Sequence, residues 1–226
     1  MTQTSSSAAF VRVEGVVLAR GVLSAAAYLA ANAKKFGERA LRLGLVAVAA
    51  PVHRILGQTD RGLAHRLAHL ALRGMSEDRV AVLCEEYAED VLKDKILDQG
   101  LELLKRLQGE GHRVVLLSDS IEPIMRPLER HLKHYDELVC NRIEFEDGEA
   151  TGKLLEPIVG SNVGGRWLDA YAEAHRFDLR RCAAYGAHGP DMLLLSRVGK
   201  PCAVNPDFVL RRSARDADWP IVEYRD

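Results

Sequence analysis

The sequence predicts an α/β protein whose core is a doubly wound parallel sheet, with an all-helical segment inserted after the first strand. Three observations carry this. Short apolar runs rich in β-branched residues alternate with helical patterns through the second half of the chain, as in parallel sheets covered on both faces. A further run of this kind, residues 10–18 (FVRVEGVVL), stands alone near the N-terminus. Between it and residues 113–117 (RVVLL) the chain is largely helical in pattern, and its first part, rich in Ala and Leu, admits no strand. With 226 residues, 47% of them apolar and 28% charged, the chain can build one core and one modest insertion.

Residues 1–9 are short and polar and read as a disordered lead-in; they lack the charged-then-apolar order of a secretory signal. The first strand follows over 10–18, with a turn at Gly15. From 21 to 72 only Pro51 and the 57–59 region break the helical pattern, which predicts two or three helices. Ser76 is a candidate N-cap for a helix with acidic residues in its first turn, running to about Val91. A helix over 100–108 leads through Gly109 and Gly111 into the 113–117 strand. After Ser118, Asp119 and Ser120 come a helix over 122–133, a short strand at 138–140 and a hairpin with its tip at 146–148. A helix at 165–175, a strand at 182–185, a helix at 191–198 and a strand at 201–204 complete the alternation. The expected organisation is a lead-in at 1–9, a core at 10–19 and 96–226, and a helical cap at 20–95.

Charge and cysteine content narrow the function classes. Thirty-one Lys and Arg against 32 Asp and Glu give a net charge of −1, which does not suit a polycation that neutralises nucleic-acid phosphates. Cys84, Cys140, Cys182 and Cys202 are widely spaced with no CxxC pair, which predicts free thiols and a cytoplasmic setting rather than a disulfide framework or a zinc knuckle.

Several segments together resemble the haloacid dehalogenase superfamily, in its phosphoserine-phosphatase-like branch with a helical cap. The resemblance rests on residues 8–10 (AAF) leading into a strand and turn, on 111–118 (GHRVVLLS), and on 148–153 (GEATGK). It rests also on Tyr185 and Gly186 with Asp191 beyond, and on 204–207 (VNPD) followed by 218–220 (DWP). It implies a Rossmann-like core with ligands at the carboxyl ends of the strands. It further implies hydrolysis of phosphate esters through an aspartyl-phosphate, with magnesium held by carboxylates.

Laid on the family's motifs, this chain departs from them at decisive places. The nucleophile position is Arg12, whose guanidinium has no lone pair to offer. Glu14 takes the acid/base position and Val16 that of the threonine. Ser118 matches the hydroxyl that binds a phosphoryl oxygen, and with Asp119 and Ser120 it stands where backbone amides form an anion nest; the alternative is an ordinary helix N-cap. Val163 takes the place of the lysine that balances the phosphoryl charge, with Arg166 one turn on as a candidate replacement, whereas Lys153 reads as a solvated hairpin residue. In 186–191 (GAHGPD) the first metal carboxylate is Ala187, while Asp191 persists. Glu14 and Asp191 alone make a poor magnesium site, and His188 is a poor ligand for so hard an ion, so it reads as a loop histidine or a ligand contact. Arg12 with Glu14 and Asp191 carries a net −1, as the family's metal-loaded site does, so Arg12 is expected to pair with these acids in a metal-free pseudo-site.

The cap carries a second signal. Residues 20–75 hold a local charge of +7, leaving −8 on the rest. Such a cap packs its apolar face on the core and a homodimer mate, or meets an anionic membrane surface or an acidic protein partner. The run 41–52 is too short to span a bilayer. Two functions follow. One is a pseudoenzyme that binds a protein partner or a phosphorylated small molecule and needs no cofactor. The other is an active magnesium-dependent phosphomonoesterase, acting on phosphoserine-like or lipid-related phosphates, with Asp119 or Glu14 recruited.

Overall fold

A computed structural model describes residues 7–19, 22–32, 43–44, 46–47, 69–159 and 165–224. Its seven strands form one sheet in the order β4-β3-β2-β1-β5-β6-β7. At its centre lies β1 (Ala8–Arg12), all five residues buried, between β2 (Arg113–Ile121) and β5 (Ala183–Gly186). Outward on one side are β3 (Glu137–Glu146) and β4 (Glu149–Leu155), on the other β6 (Lys200–Val204) and the short β7 (Ile221–Val222). All neighbours pair in parallel except β3 and β4. The parallel sheet expected from sequence is present, and the expected hairpin adds its one antiparallel edge. That hairpin turns at Asp147 and Gly148, both at positive φ, inside the 146–148 tip read from the sequence.

Alternation along β1 divides the core. Ala9 and Val11, with Val13 beyond, face one side and pack with α1 (Val22–Ala31), α2 (Glu77–Tyr87), α3 (Asp98–Gly109) and α4 (Glu122–Leu128). Ala8 and Phe10 face the other and pack with α5 (Arg166–His175), α6 (Met192–Leu195) and α7 (Phe208–Asp216). This two-faced coverage is what makes the strands read as continuous apolar runs.

Several expectations are corrected. The first strand begins at Ala8, so Ala8 and Ala9, assigned to the lead-in, are central and fully buried; residues 1–6 lie outside the described set. It ends at Arg12 rather than 18. Residues 13–18 close on themselves, with Val17 and Leu18 donating to the Val13 carbonyl and Gly15 to Leu18, so this apolar run is a buried loop. β2 runs on through Ser118–Ser120, because parallel pairing with β3 resumes at Ile121 after a bulge. β3 is ten residues rather than three, since its second half pairs with β4. The helix after β2 stops at Leu128 instead of 133, with Pro127 in its last turn. The 191–198 helix is a 3-10 turn (Gly189–Asp191) followed by the four residues of α6. Neither α7, capped by Asp207, nor β7 was anticipated.

Of the 20–95 insertion, the described parts are helical: α1, a 3-10 turn (Leu70–Leu72), α2, a π-helical turn (Ala88–Leu92) and a 3-10 turn (Lys93–Lys95). Ser76 stands at the N-cap of α2, as read, but without a side-chain hydrogen bond. The insertion is tied to the hairpin through Gly74 N to Ala150 O (2.8 Å) and Ala150 N to Met75 O (2.8 Å). Most of the basic 20–75 stretch lies outside the described residues. All four cysteines are free. Among the described residues no helix is long and apolar enough to cross a membrane.

Candidate functional site

The carboxyl ends of β1, β2 and β5 converge. The β1–β2 register sets Arg12 beside Leu117. The residues that follow on each chain, Glu14 in the buried loop and Ser118–Ser120 in the bulged end of β2, therefore meet. From β5 the chain turns through Ala187 and His188 to Asp191. Arg12, Glu14, Ser118, Asp119, Ser120, Ala187 and Asp191 are all buried, Arg12 to 1% exposure. Asn141 of β3 braces the group: its amide donates to the Asp119 carbonyl (2.7 Å) and its oxygen accepts from Val159 N (2.8 Å).

Arg12 is the hub. One terminal nitrogen donates to Asp119 Oδ1, and Nε lies 3.2 Å from Asp191 Oδ1 as an ionic contact. The expected Arg12–Asp191 pair is present. The hydrogen-bonded partner, however, is Asp119, which sequence reasoning had placed among ligand contacts. Burial works against the guanidinium charge, and the charges of Asp119, Asp191 and Glu14 more than offset it, so Arg12 holds its proton more tightly than a free arginine. The pKa of Glu14 is raised as well, by burial first and then by the Asp119 charge, against the opposing effects of Arg12 and its hydrogen bonds.

The remaining polar atoms are turned inward. Ser118 Oγ donates to Glu14 Oε1 (2.6 Å) and accepts from Ser120 N (3.0 Å), while Asp119 N donates to Glu14 Oε2 (3.0 Å). The amides expected to form an anion nest are thus spent on Glu14 and Ser118. Nor is Ser118 a helix cap, because α4 starts at Glu122 with Ile121 in the cap position. Asp191 Oδ2 accepts from Ala187 N and His188 N (both 2.9 Å), closing its own loop. His188 is at the rim, its side chain 36% exposed and Nδ1 3.8 Å from Asp191 Oδ2. Ala187 packs on the buried loop, where a Cβ on Gly15 would come 2.4 Å from its own. Val163 lies outside the described residues; Arg166 opens α5, and its side chain is likewise outside them. Lys153 is on β4, 68% exposed, and pairs with Glu144 at 3.4 Å.

A divalent cation does not fit this donor set. Its place among the carboxylates is filled by a guanidinium, position 187 offers only a methyl group, and both Asp191 oxygens are engaged. Among the described residues no three His, Cys, Asp or Glu side chains are grouped to hold a metal.

Two residues that position this centre were missed. Asp207 Oδ1 caps α7 at Leu210 N (2.8 Å), its Oδ2 accepts from Gly189 N (3.0 Å) and its own N donates to Ala187 O (2.9 Å). Asn205, at φ 43°, donates to Gly15 O (3.2 Å). Their signal was the 204–207 segment, which carried the resemblance without being read as a brace.

A family model for haloacid dehalogenase-like hydrolases matches residues 18–196. The chain belongs to this family. Among curated relatives, a Streptomyces azureus protein described as an inhibition of morphological differentiation protein is 31% identical over 153 residues, 67% of this chain and 54% of its own length. A phosphoserine phosphatase of Mycobacterium tuberculosis is 30% identical over 166 residues, 74% of this chain and 54% of its own. The chain thus spans about half the length of these relatives. Among solved structures, a Bordetella pertussis protein of unknown function superposes with a TM-score of 0.78 at 19% identity, covering 96% of this chain and 98% of that one. A phosphoserine phosphatase solved as a phospho-aspartyl intermediate analogue gives 0.73 at 16%, covering 98% and 95%. This haloacid dehalogenase-like chain is of the phosphoserine-phosphatase-like branch, and its fold is that of these enzymes.

Proposed function

We propose that this member of the family does not hydrolyse phosphate esters and acts by binding, its former reaction centre serving as an internal ion-pair lock. One observation carries this: the guanidinium of Arg12, at the nucleophile position, is buried and held between Asp119 and Asp191. A guanidinium cannot attack phosphorus. The recruited-carboxylate alternative asks Asp119 or Glu14 to attack, yet Asp119 is bound to Arg12 and both Glu14 oxygens accept hydrogen bonds. A phosphoryl dianion would also enter a centre with more acidic than basic groups, without a metal to offset it. The contact surface for a partner is placed on the basic 20–75 segment, where it meets an acidic protein, an anionic membrane surface or a second copy of the chain.

The test is turnover of phosphoserine and of a generic aryl phosphate by the purified protein, with magnesium and with chelator. The expected rate is that of a protein-free control under both conditions, and Arg12→Asp alone stays at background because positions 163 and 187 still lack their lysine and carboxylate. Turnover that scales with enzyme and disappears with chelator overturns the reading.

A further inference from the structure

On the side of the sheet that carries α3, that helix rests against β2, and beyond its edge the face of β5–β7 opens into a cavity of about 840 Å³. That volume lies within the range of pockets that enclose small organic ligands. None of the residues around Arg12 lines the cavity, which lies on the far side of the strand ends that carry Ala187 and Asn205. Leu103 of α3 forms one wall, with Arg106 one turn further along. Tyr185, Cys202 and Val204 face the same core side as Leu103, and Tyr224 closes the far end.

Its chemistry is uneven in a way that points to a ligand. The Arg106 charge reaches both phenols of the cavity, Tyr185 and Tyr224. The Tyr224 hydroxyl is buried with no hydrogen-bond partner, a cost that a bound acceptor would remove. Burial pushes this phenol up to about 12, so it remains a donor at neutral pH. Arg106 has only a loose contact with Glu110 at 3.9 Å, and its side chain is 62% exposed, which leaves donors of its planar fork available. Among the charged residues of the lining, Arg106 and Lys200 stand against Glu102 and Glu223, and Glu223 is bound to Arg211. With no surplus positive charge in the lining, a single carboxylate on the Arg106 fork suits it better than a phosphate dianion. Burial raises the pKa of Cys202, so its thiol serves as apolar filling and not as a nucleophile.

We infer that this cavity binds a flat aromatic monocarboxylate, with its ring between Leu103 and the Tyr185–Cys202–Val204 face, its carboxylate on Arg106 and a hydrogen bond from Tyr224. The site is independent of the non-hydrolytic reading of the Arg12 centre, and turnover assays do not bear on it. The probe is naphthoate, titrated calorimetrically into the intact chain, with naphthylmethanol as the uncharged comparator. The expected result is one saturable naphthoate site. Arg106→Gln weakens it by about tenfold or more and removes the preference over naphthylmethanol. Tyr224→Phe weakens it about threefold or more, and Cys202→Trp, which fills the cavity, abolishes it. Because Arg106 is largely exposed, Arg106→Gln leaves the fold intact even if Cys202→Trp does not. The inference is overturned if the folded wild type shows no saturable binding, or if binding is unchanged in Arg106→Gln. It is equally overturned if the chain dimerises through this face in a way that Cys202→Trp prevents while naphthoate does not bind.

Discussion

At the scale of single residues, two charges decide the character of the centre. Arg12 is held in a low-exposure site by Asp119 and Asp191, and removing the cation alone leaves two buried carboxylates without compensation. Arg12→Met is therefore expected to destabilise the fold by about 3–5 kcal/mol in urea unfolding. Adding Asp119→Asn and Asp191→Asn should restore most of that loss; a triple variant no more stable than Arg12→Met would show that the pairs are not what Arg12 contributes. Glu14 gives a pH signature. Its folded pKa is raised above the ordinary 4.5 by burial and then by Asp119, so the folded state holds this proton more tightly than the unfolded one. The associated stability is present in full below 4.5 and is lost as pH rises through the folded value. Glu14→Gln keeps an acceptor for Asp119 N, presents an amide nitrogen to the Ser118 hydroxyl that donates to Glu14 Oε1, and cannot ionise. Between about pH 4 and about pH 8 it should gain on the wild type as pH rises; parallel stability profiles for the two proteins would contradict this.

At the scale of elements, the centre is built by loop ends that hold one another. Asp207 joins three of them, the end of β6, the 187–191 loop and the start of α7, through Ala187 O, Gly189 N and Leu210 N. Asp207→Ala removes the helix cap and leaves the Gly189 amide unpaired, a combined cost of roughly 2–4 kcal/mol by thermal or urea unfolding. Asp207→Asn, which retains an acceptor for the cap, should lose much less; equal loss in both variants would assign the effect to charge instead of hydrogen bonding. The same scale explains why α3 lies so close to the buried loop. Gly100 sits where a Cβ would come 2.5 Å from the Val16 carbonyl oxygen, so only a bare Cα lets the helix approach there.

At the scale of the whole molecule, the fold is that of phosphoserine phosphatases, around a centre in which one buried guanidinium is paired with two of three buried acids. A magnesium site in the folded protein would stabilise it by mass action, by about 1.4 kcal/mol at a free concentration ten times its dissociation constant. With Arg12 in the cation's place, magnesium is expected to raise the unfolding temperature no more than sodium chloride at equal ionic strength. A specific, saturating rise would mean that Arg12 yields its carboxylates to the metal. Two apolar cores on either side of the sheet carry the fold, and one of them runs up to the centre through Val13, Val16 and Ala187.

By itself, the sequence determined the alternation of strands and helices, the helical character of the stretch that follows the first strand, and the family to which the chain belongs. These are legible because period and composition are local, and because motif order survives substitution. Only the tertiary structure decided what the surviving polar residues do. Asp119 turns to Arg12, 107 residues away, because the β1–β2 register sets Leu117 beside Arg12 and the bulge that follows redirects β2. Ser118 could be read as a cap or a phosphate contact until Glu14 was seen to take its hydrogen bond. The arginine in the first strand and the polar residues ending the second were both visible along the chain; the pairing of Arg12 with Asp119 was not, since strand register and burial set it and no local pattern encodes either.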